Sequence, residues 1–284
     1  MPMSPTQGIG VLSSIPFAGT KLAAAFDKGF GRAGIYANIK DNCGYDAASL
    51  QAAVQALNND IKIGLIVTVG GLIAAQEAAR STGATLPFIS LIGGTPGNFK
   101  GGGYFRGGVS LESFAHNPHR IAHLKSLKIP EEKICLLSNP NSFMSPLERT
   151  AWQAAPRGGV FDAGGTAGAG SPNSTATYKA AFGKISAAGM MAVVVSADPF
   201  FQATMDDLIN EANQWIKAGQ GRRICYPLHD YANPSGKCQP IAGHTLYGPD
   251  LMEAYALLGQ MAAKFLAGQA TTLQSYGPGS PQDH

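Results

Sequence analysis

Short apolar runs alternate with amphipathic stretches along most of the chain, and most of the apolar runs stop on glycine, serine, asparagine or aspartate. Residues 8–14, 34–40, 63–69 and 86–92 have the length and continuity of strands buried on both faces. Residues 20–29, 46–59 and 72–81 lie between them and read as helices. In 46–59, Leu50, Val54 and Leu57 recur along one helical face, and Asp46 stands where an N-cap belongs. This strand–helix alternation predicts a mostly parallel sheet with helices on both sides.

The pattern breaks at 93–108, GGTPGNFKGGGYFRGG, which is long, rich in glycine and without period, as a boundary or crossover would be. It then restarts. A helix is expected in the second half of LESFAHNPHRIAHLKSLKI, a strand at KICLLSN, a helix at 146–155 and a weak strand at GVFDAG. A helix at 178–188, a strand at MMAVVVSA, a helix at 199–218 and a strand at RRICYPL follow. The stretch LYGPDLMEAYALLGQMAAKFLAG gives a short strand and a long helix, with Pro249 near its start and Gly268 where a helix stops. The predicted fold is therefore α/β: two Rossmann-like lobes with parallel sheets joined by a hinge. The first comprises residues 1–107 plus about 247–270, and the second residues 108–246 plus about 271–284. The strand ends TVGG, LIGGT, LSNPNS, VSADPFF and YPLHDY fall along the carboxyl edges of the two sheets. Two such edges face to face make a cleft, in which backbone N–H groups at helix starts favour a carboxylate or another anion.

The ordered set GLIVTVGGLIAAQEAA, PFISLIGG, ICLLSNPNS, MMAVVVSADPFF and LYGPDLMEAYALLGQMAAKFLAG resembles substrate-binding proteins of ABC transporters with the type I periplasmic-binding fold. Within that group it is similar to the branch often linked to aromatic amino acid uptake. The resemblance runs from about residue 8 to 273, and ADPFF and YGPDL are its most telling pieces. It implies a hinged receptor that closes on a small molecule, with the last helix returned to the first lobe. The ligand loops of such proteins correspond here to Ser13, Ser14 and Phe17, to Thr68, Gly70 and Gly71, and to Gly93, Gly94 and Thr95. In the second lobe they correspond to Asn139 and Asn141 and to Asp198 and Phe200, with His229 and Tyr231 as further positions. An ABC permease is the implied partner if the protein is exported. The stretch ANPSGKCQPIAGH before TLYGPD has the look of an insertion in that pattern.

Composition narrows the rest. Only 14% of residues are charged and the net charge is +3, too weak a field to indicate nucleic acid. No segment approaches the roughly 18 to 20 apolar residues of a membrane span. The opening MPMSPTQGIGVLSS lacks the charge and apolar core of a secretory signal. The expected location is periplasmic or membrane-tethered if a signal was removed, and cytoplasmic otherwise. Cys43, Cys135, Cys225 and Cys238 form no metal-type spacing. Cys135 reads as a buried thiol, and Cys225 and Cys238 are candidates for a bond across a connection.

Catalytic readings fail on geometry. His229 and Asp230 are adjacent, so on a strand they point to opposite faces and cannot orient one another, and no G-x-S-x-G elbow occurs. His119 and His123 have helical i, i+4 spacing but no third ligand beside them, and AHNPHRIAHLK reads as a solvated, mildly basic face. GGGYFRGG lacks the Gly-Lys-Ser/Thr ending of a phosphate loop, although Arg106 stands close enough to a crossover to reach the cleft. Asp198 suits either of two roles, accepting a ligand ammonium or capping the helix that starts at Pro199. Phe200 or Phe201 would then pack on an apolar part of the ligand. Asn139 and Ser142 in SNPNS are either cleft donors or an Asn-Pro turn. The expectation is a non-enzymatic solute-binding protein of an ABC importer, with no cofactor or metal. Its ligand would be a small polar molecule, an amino acid or related carboxylate, held between the lobes. The alternative is a cytoplasmic protein that uses the same fold for self-assembly or ligand sensing.

Overall fold

A computed structural model describes residues 8–44, 46–80, 86–93, 99, 101–112, 115–142, 144–165, 174–228, 240–277 and 281–283. It divides into two compact units. Unit 1 is residues 1–112 with 251–277, and unit 2 is 113–250 with 278–284, so the chain changes unit after Glu112, after Asp250 and after Gly277.

Unit 1 contains β1 (Gly8–Ser13), α1 (Lys21–Phe30), β2 (Tyr36–Lys40), α2 (Ala47–Asn58) and β3 (Ile63–Val69). It continues with α3 (Leu72–Arg80), β4 (Phe88–Ile92) and β5 (Phe105–Ser110). Its strands run β11-β5-β4-β3-β1-β2, where β11 is Leu273–Ser275, and every neighbouring pair is parallel. All seven residues of β3 are buried, as its unbroken apolar sequence requires of a central strand clad on both faces. Asp46 caps α2: the Ser49 N–H donates to its carboxylate at 2.8 Å, and Leu50, Val54 and Leu57 are buried.

Unit 2 contains α4 (Asn117–Ser126), β6 (Ile134–Ser138), α5 (Ser145–Gln153), β7 (Val160–Asp162), α6 (Ser174–Ala187) and β8 (Ala192–Val195). After these come α7 (Pro199–Ala203), α8 (Met205–Lys217), β9 (Arg223–Tyr226) and β10 (His244–Leu246). Then α9 (Leu251–Leu266) returns the chain to unit 1, and β12 (Gln282–Asp283) closes the second sheet. That sheet runs β12-β10-β9-β8-β6-β7 and is parallel except at β12. One face is a cluster of Ile134, Leu136, Ala192, Val194 and Cys225 packed by Ile121, Leu124 and Trp152. The alternate residues Cys135, Leu137, Val193 and Val195 point the other way and are equally buried. Cys225 is a buried free thiol, and Cys238 lies outside the described residues.

The aperiodic stretch 93–108 proves to contain the first four of the six residues of β5. Gly107 and Gly108 adopt φ of 119° and 149°, and a Cβ on Gly108 would strike the Ser90 backbone on β4. The strand passes its neighbour too closely for side chains, so it leaves no apolar signature. Glycine serves a similar end where α1 meets α9. A Cβ on Gly29 would run into the Ala256 carbonyl, and one on Gly259 into the Phe26 carbonyl. Gly183, in the body of α6, faces open space instead.

Helix propensity alone makes Gly→Ala favourable by up to about 1 kcal/mol at all three sites. Urea unfolding should show that gain for Gly183→Ala. Gly259→Ala should reverse the sign and cost about 1–3 kcal/mol, the penalty of an overpacked helix contact.

Candidate functional site

Each sheet contains one place where strand order reverses. In unit 1 it lies between β1 and β3, because β2 sits on the other side of β1. In unit 2 it lies between β6 and β8 for the same reason. Connections leave such a pair towards opposite faces of the sheet, which opens a crevice at the carboxyl ends. The described candidates that follow or end β1, β3, β6 and β8 fall around these reversals.

In unit 1, Ser13 ends β1, Ser14 follows it, and both are fully buried. The Ser14 hydroxyl donates to the Gly70 carbonyl, and the Ser13 hydroxyl donates to the Ile15 carbonyl at 2.6 Å. Gly70 and Gly71 follow β3 with φ of 88° and 109°, a conformation that favours glycine. A Cβ on Gly70 would hit the Ser14 hydroxyl, whereas the Cβ direction of Gly71 is open. Thr68 donates to Ser90 at 2.7 Å inside the sheet. Gly93 ends β4 half-buried, and Gly94 and Thr95 lie outside the described residues. Phe17 is wholly buried, its ring stacked on Tyr255 at 6.0 Å and edge-on to Phe26 and Tyr36. The backbone rather than the ring of this loop faces polar partners: Asp41, just beyond β2, accepts from Phe17 N at 2.7 Å and Ala18 N at 3.1 Å. Asp41 was missed from sequence, although DNCG after a strand carries the turn chemistry that lets an Asp side chain take backbone N–H groups.

In unit 2, Asp198 follows β8 and is buried. Its Oδ1 accepts from the Phe200 N–H at 2.9 Å, so the capping role is realised in α7. The same oxygen accepts from Asn139 Nδ2 at 2.9 Å across the reversal, and Ser142 bonds the carboxyl as well. Asn139 is fixed in turn, donating to the Gly165 carbonyl at 3.0 Å and accepting from the Asn141 N–H at 3.1 Å. Phe200 is buried against Tyr178 and Phe201 in the body of the unit. His229 and Tyr231 lie outside the described residues.

Behind Asp198 stands a group that sequence reading did not find. The Ser196 hydroxyl donates to Glu148 on α5, Asn117 Nδ2 donates to Glu148 Oε1 at 2.9 Å, and Arg120 donates to Asn117 Oδ1 at 2.7 Å. All four are buried, Arg120 completely. The expected solvated face of AHNPHRIAHLK is thus corrected: His119 and Lys125 are exposed, but His116, Asn117 and Arg120 face inward. His123 is half-buried and meets Asp283 at 3.0 Å. Among the described residues no three His, Cys, Asp or Glu side chains are grouped to hold a metal.

Burial raises the Glu148 carboxyl above its ordinary 4.5, against the pull of Ser196, Asn117 and the Arg120 charge. Burial likewise raises Asp198, against its bonds from Asn139, Ser142 and Phe200. A folded state that holds these protons more tightly than the unfolded chain loses stability as pH rises through the raised values. Asp46, Asp60 and Asp283 are lowered and act in the opposite direction, so comparison with a variant is needed. The stability of the wild type relative to Glu148→Gln should fall as pH rises above about 4.5, measured by urea unfolding at several pH values.

The chain matches no protein-family model and no curated protein sequence. Solved structures share its fold. An ABC sugar transporter subunit from Rhodobacter sphaeroides is 15% identical and superposes with a TM-score of 0.65 over 98% of each chain. An ABC domain from Streptococcus pneumonia, solved in complex with L-Trp, is 16% identical, with a TM-score of 0.64 over 96% of this chain and 91% of that one. A LacI family transcriptional regulator from Bifidobacterium animalis is 11% identical, with a TM-score of 0.67 over 99% and 96%. The architecture is that of the type I periplasmic-binding and LacI-like proteins. At these identities the likeness establishes the fold and selects no branch within it.

Proposed function

We propose that this protein binds a small polar solute without transforming it, at the carboxyl-edge residues of its sheets. The ligand class is an amino acid or a related molecule that carries an ammonium group. The observation that carries this reading is Asp198, a buried carboxyl held at the strand-order reversal of unit 2 by Asn139, Ser142 and the Phe200 N–H. A carboxylate fixed in that way meets a cation with little reorganisation, and charge-assisted bonds are the strong ones. Gly70, Gly71 and Gly93 in unit 1, with Asn141 in unit 2, are proposed as further ligand contacts, held in place by the internal bonds of Ser13, Ser14 and Asn139. Thr68, Phe17 and Phe200 support them from within, since their polar groups or rings are occupied by the protein itself.

The fold supports the same reading. It is shared over nearly the full length with a sugar transporter subunit and with a protein solved around L-Trp. An importer role, with an ABC permease as partner, is the form of solute binding proposed. No described helix is long and apolar enough to cross a membrane.

A thermal-shift screen of amino acids, small carboxylates, sugars and polyols tests the reading. A ligand at 100 times its Kd should add about 2.7 kcal/mol of stability and raise the melting point by several degrees. Asp198→Asn separates capping from binding. Asparagine caps a helix as well as aspartate does, so the unliganded melting point should barely move, while the shift with an ammonium ligand should disappear. A response to sugars alone, or none across the panel, would overturn the proposed ligand class.

A further inference from the structure

Arg120 is fully buried on α4, and its contacts extend well beyond Asn117. Its Nε donates to the Tyr247 carbonyl at 2.7 Å and a terminal nitrogen donates to the Pro227 carbonyl at 3.3 Å. Pro227 directly follows β9, and Tyr247 directly follows β10. The Tyr247 N–H itself donates to the Tyr226 carbonyl at 3.1 Å. Gly248 is pressed so tightly against the Pro227 carbonyl that a Cβ there would overlap it. Residues 247–250 are the last of unit 2 before the chain enters unit 1.

The bonds form one continuous path. It starts at Ser196, two residues before Asp198, and passes through Glu148 to Asn117. From Asn117 it continues through Arg120 to Tyr247 and Pro227. Asn117 is the critical joint, because its amide alone can donate to the carboxyl and accept from the guanidinium at once. Without it a buried carboxyl and a buried guanidinium would each lose a partner, and that loss is costly in an interior. Sequence distance makes the arrangement informative. The bonded groups come from α4, α5 and the segments that directly follow β8, β9 and β10.

We infer that Ser196, Glu148, Asn117 and Arg120 form a single buried relay that ties the Asp198 loop to the segment by which the chain leaves unit 2. The relay members are positioning residues. They set the placement of Asp198 and of residues 247–250 together, so that a change at one end is felt at the other. Their bearing on ligand recognition rests on the reading of Asp198 given above.

Backbone amide exchange in the ligand-free protein tests the relay, with the Phe200 and Tyr247 N–H groups reporting its two ends. Asn117→Ala should speed exchange at both by about tenfold or more, the loss expected when bonds to buried charged groups are broken. The Ala181 amide in α6 should stay within about threefold of its original rate. Arg120→Lys should act like Asn117→Ala, since one ammonium cannot span three acceptors. Glu148→Gln should largely spare both ends, because the Ser196 hydroxyl can turn to accept from the new amide. If Asn117→Ala does not fold, Ser196→Ala read at Tyr247 asks the same question from the far end. Acceleration at one end only, or equal acceleration at Ala181, would overturn the relay. The measurement uses no ligand, so a flat binding screen would leave it standing, and its own failure would leave solute binding untouched.

Discussion

A parallel sheet must send every connection over one face or the other, and where consecutive connections choose opposite faces the carboxyl ends of two adjacent strands are left without a covering loop. That constraint operates beside β1 in unit 1 and beside β6 in unit 2. Its consequences reach far into the sequence. The interiors of β3, β6 and β8 are apolar on both faces, so Thr68 and Ser138 stand at or next to the ends of β3 and β6, and Ser196 comes directly after β8. There they meet helix starts and one another. Ser13, Ser14 and Thr68 in unit 1, and Ser138, Asn139, Ser196 and Asp198 in unit 2, are all buried at such ends.

Burying so many polar groups demands that each be bonded, and the two units satisfy that demand differently. At the ends of β1 and β3 unit 1 uses hydroxyls and backbone: Ser14 on Gly70 and Thr68 on Ser90. Unit 2 uses ionisable side chains, with Asp198 and Glu148 both raised by desolvation. Hydroxyl and peptide contacts are indifferent to pH. The carboxyls of unit 2 are not, so the chemical character of the candidate site lies there.

What the sequence revealed follows from the same physics. Continuous apolar strands such as β3 and periodic helices such as α2 were legible because a single local pattern determines them. The first strand was legible to within one residue, expected to end at Ser14 and ending at Ser13, and the cap at Asp198 was one of the two roles its position offered. β5 was not, because its glycines are dictated by the closeness of β4 and carry no period. Arg120 and Glu148 were illegible for a different reason. In NPHRIAHLK and SPLERTAW each charge stands where a solvated helix face would place it. Only the tertiary packing of α4 and α5 turns those positions inward, and a charge pattern read along one helix does not record its partner on another.

The contact between α1 and α9 bears on how the molecule is made. Gly29 and Gly259 let these helices approach to backbone distance, and α9 also packs on β3, β4 and β5. Although the first hundred residues leave the ribosome early, their sheet lacks one of its helical covers until residues past 250 emerge. Unit 2 has by then been synthesised almost whole. Vectorial synthesis therefore favours maturation of the later-encoded unit first, with the amino-terminal one waiting, partly unclad, for α9 to emerge.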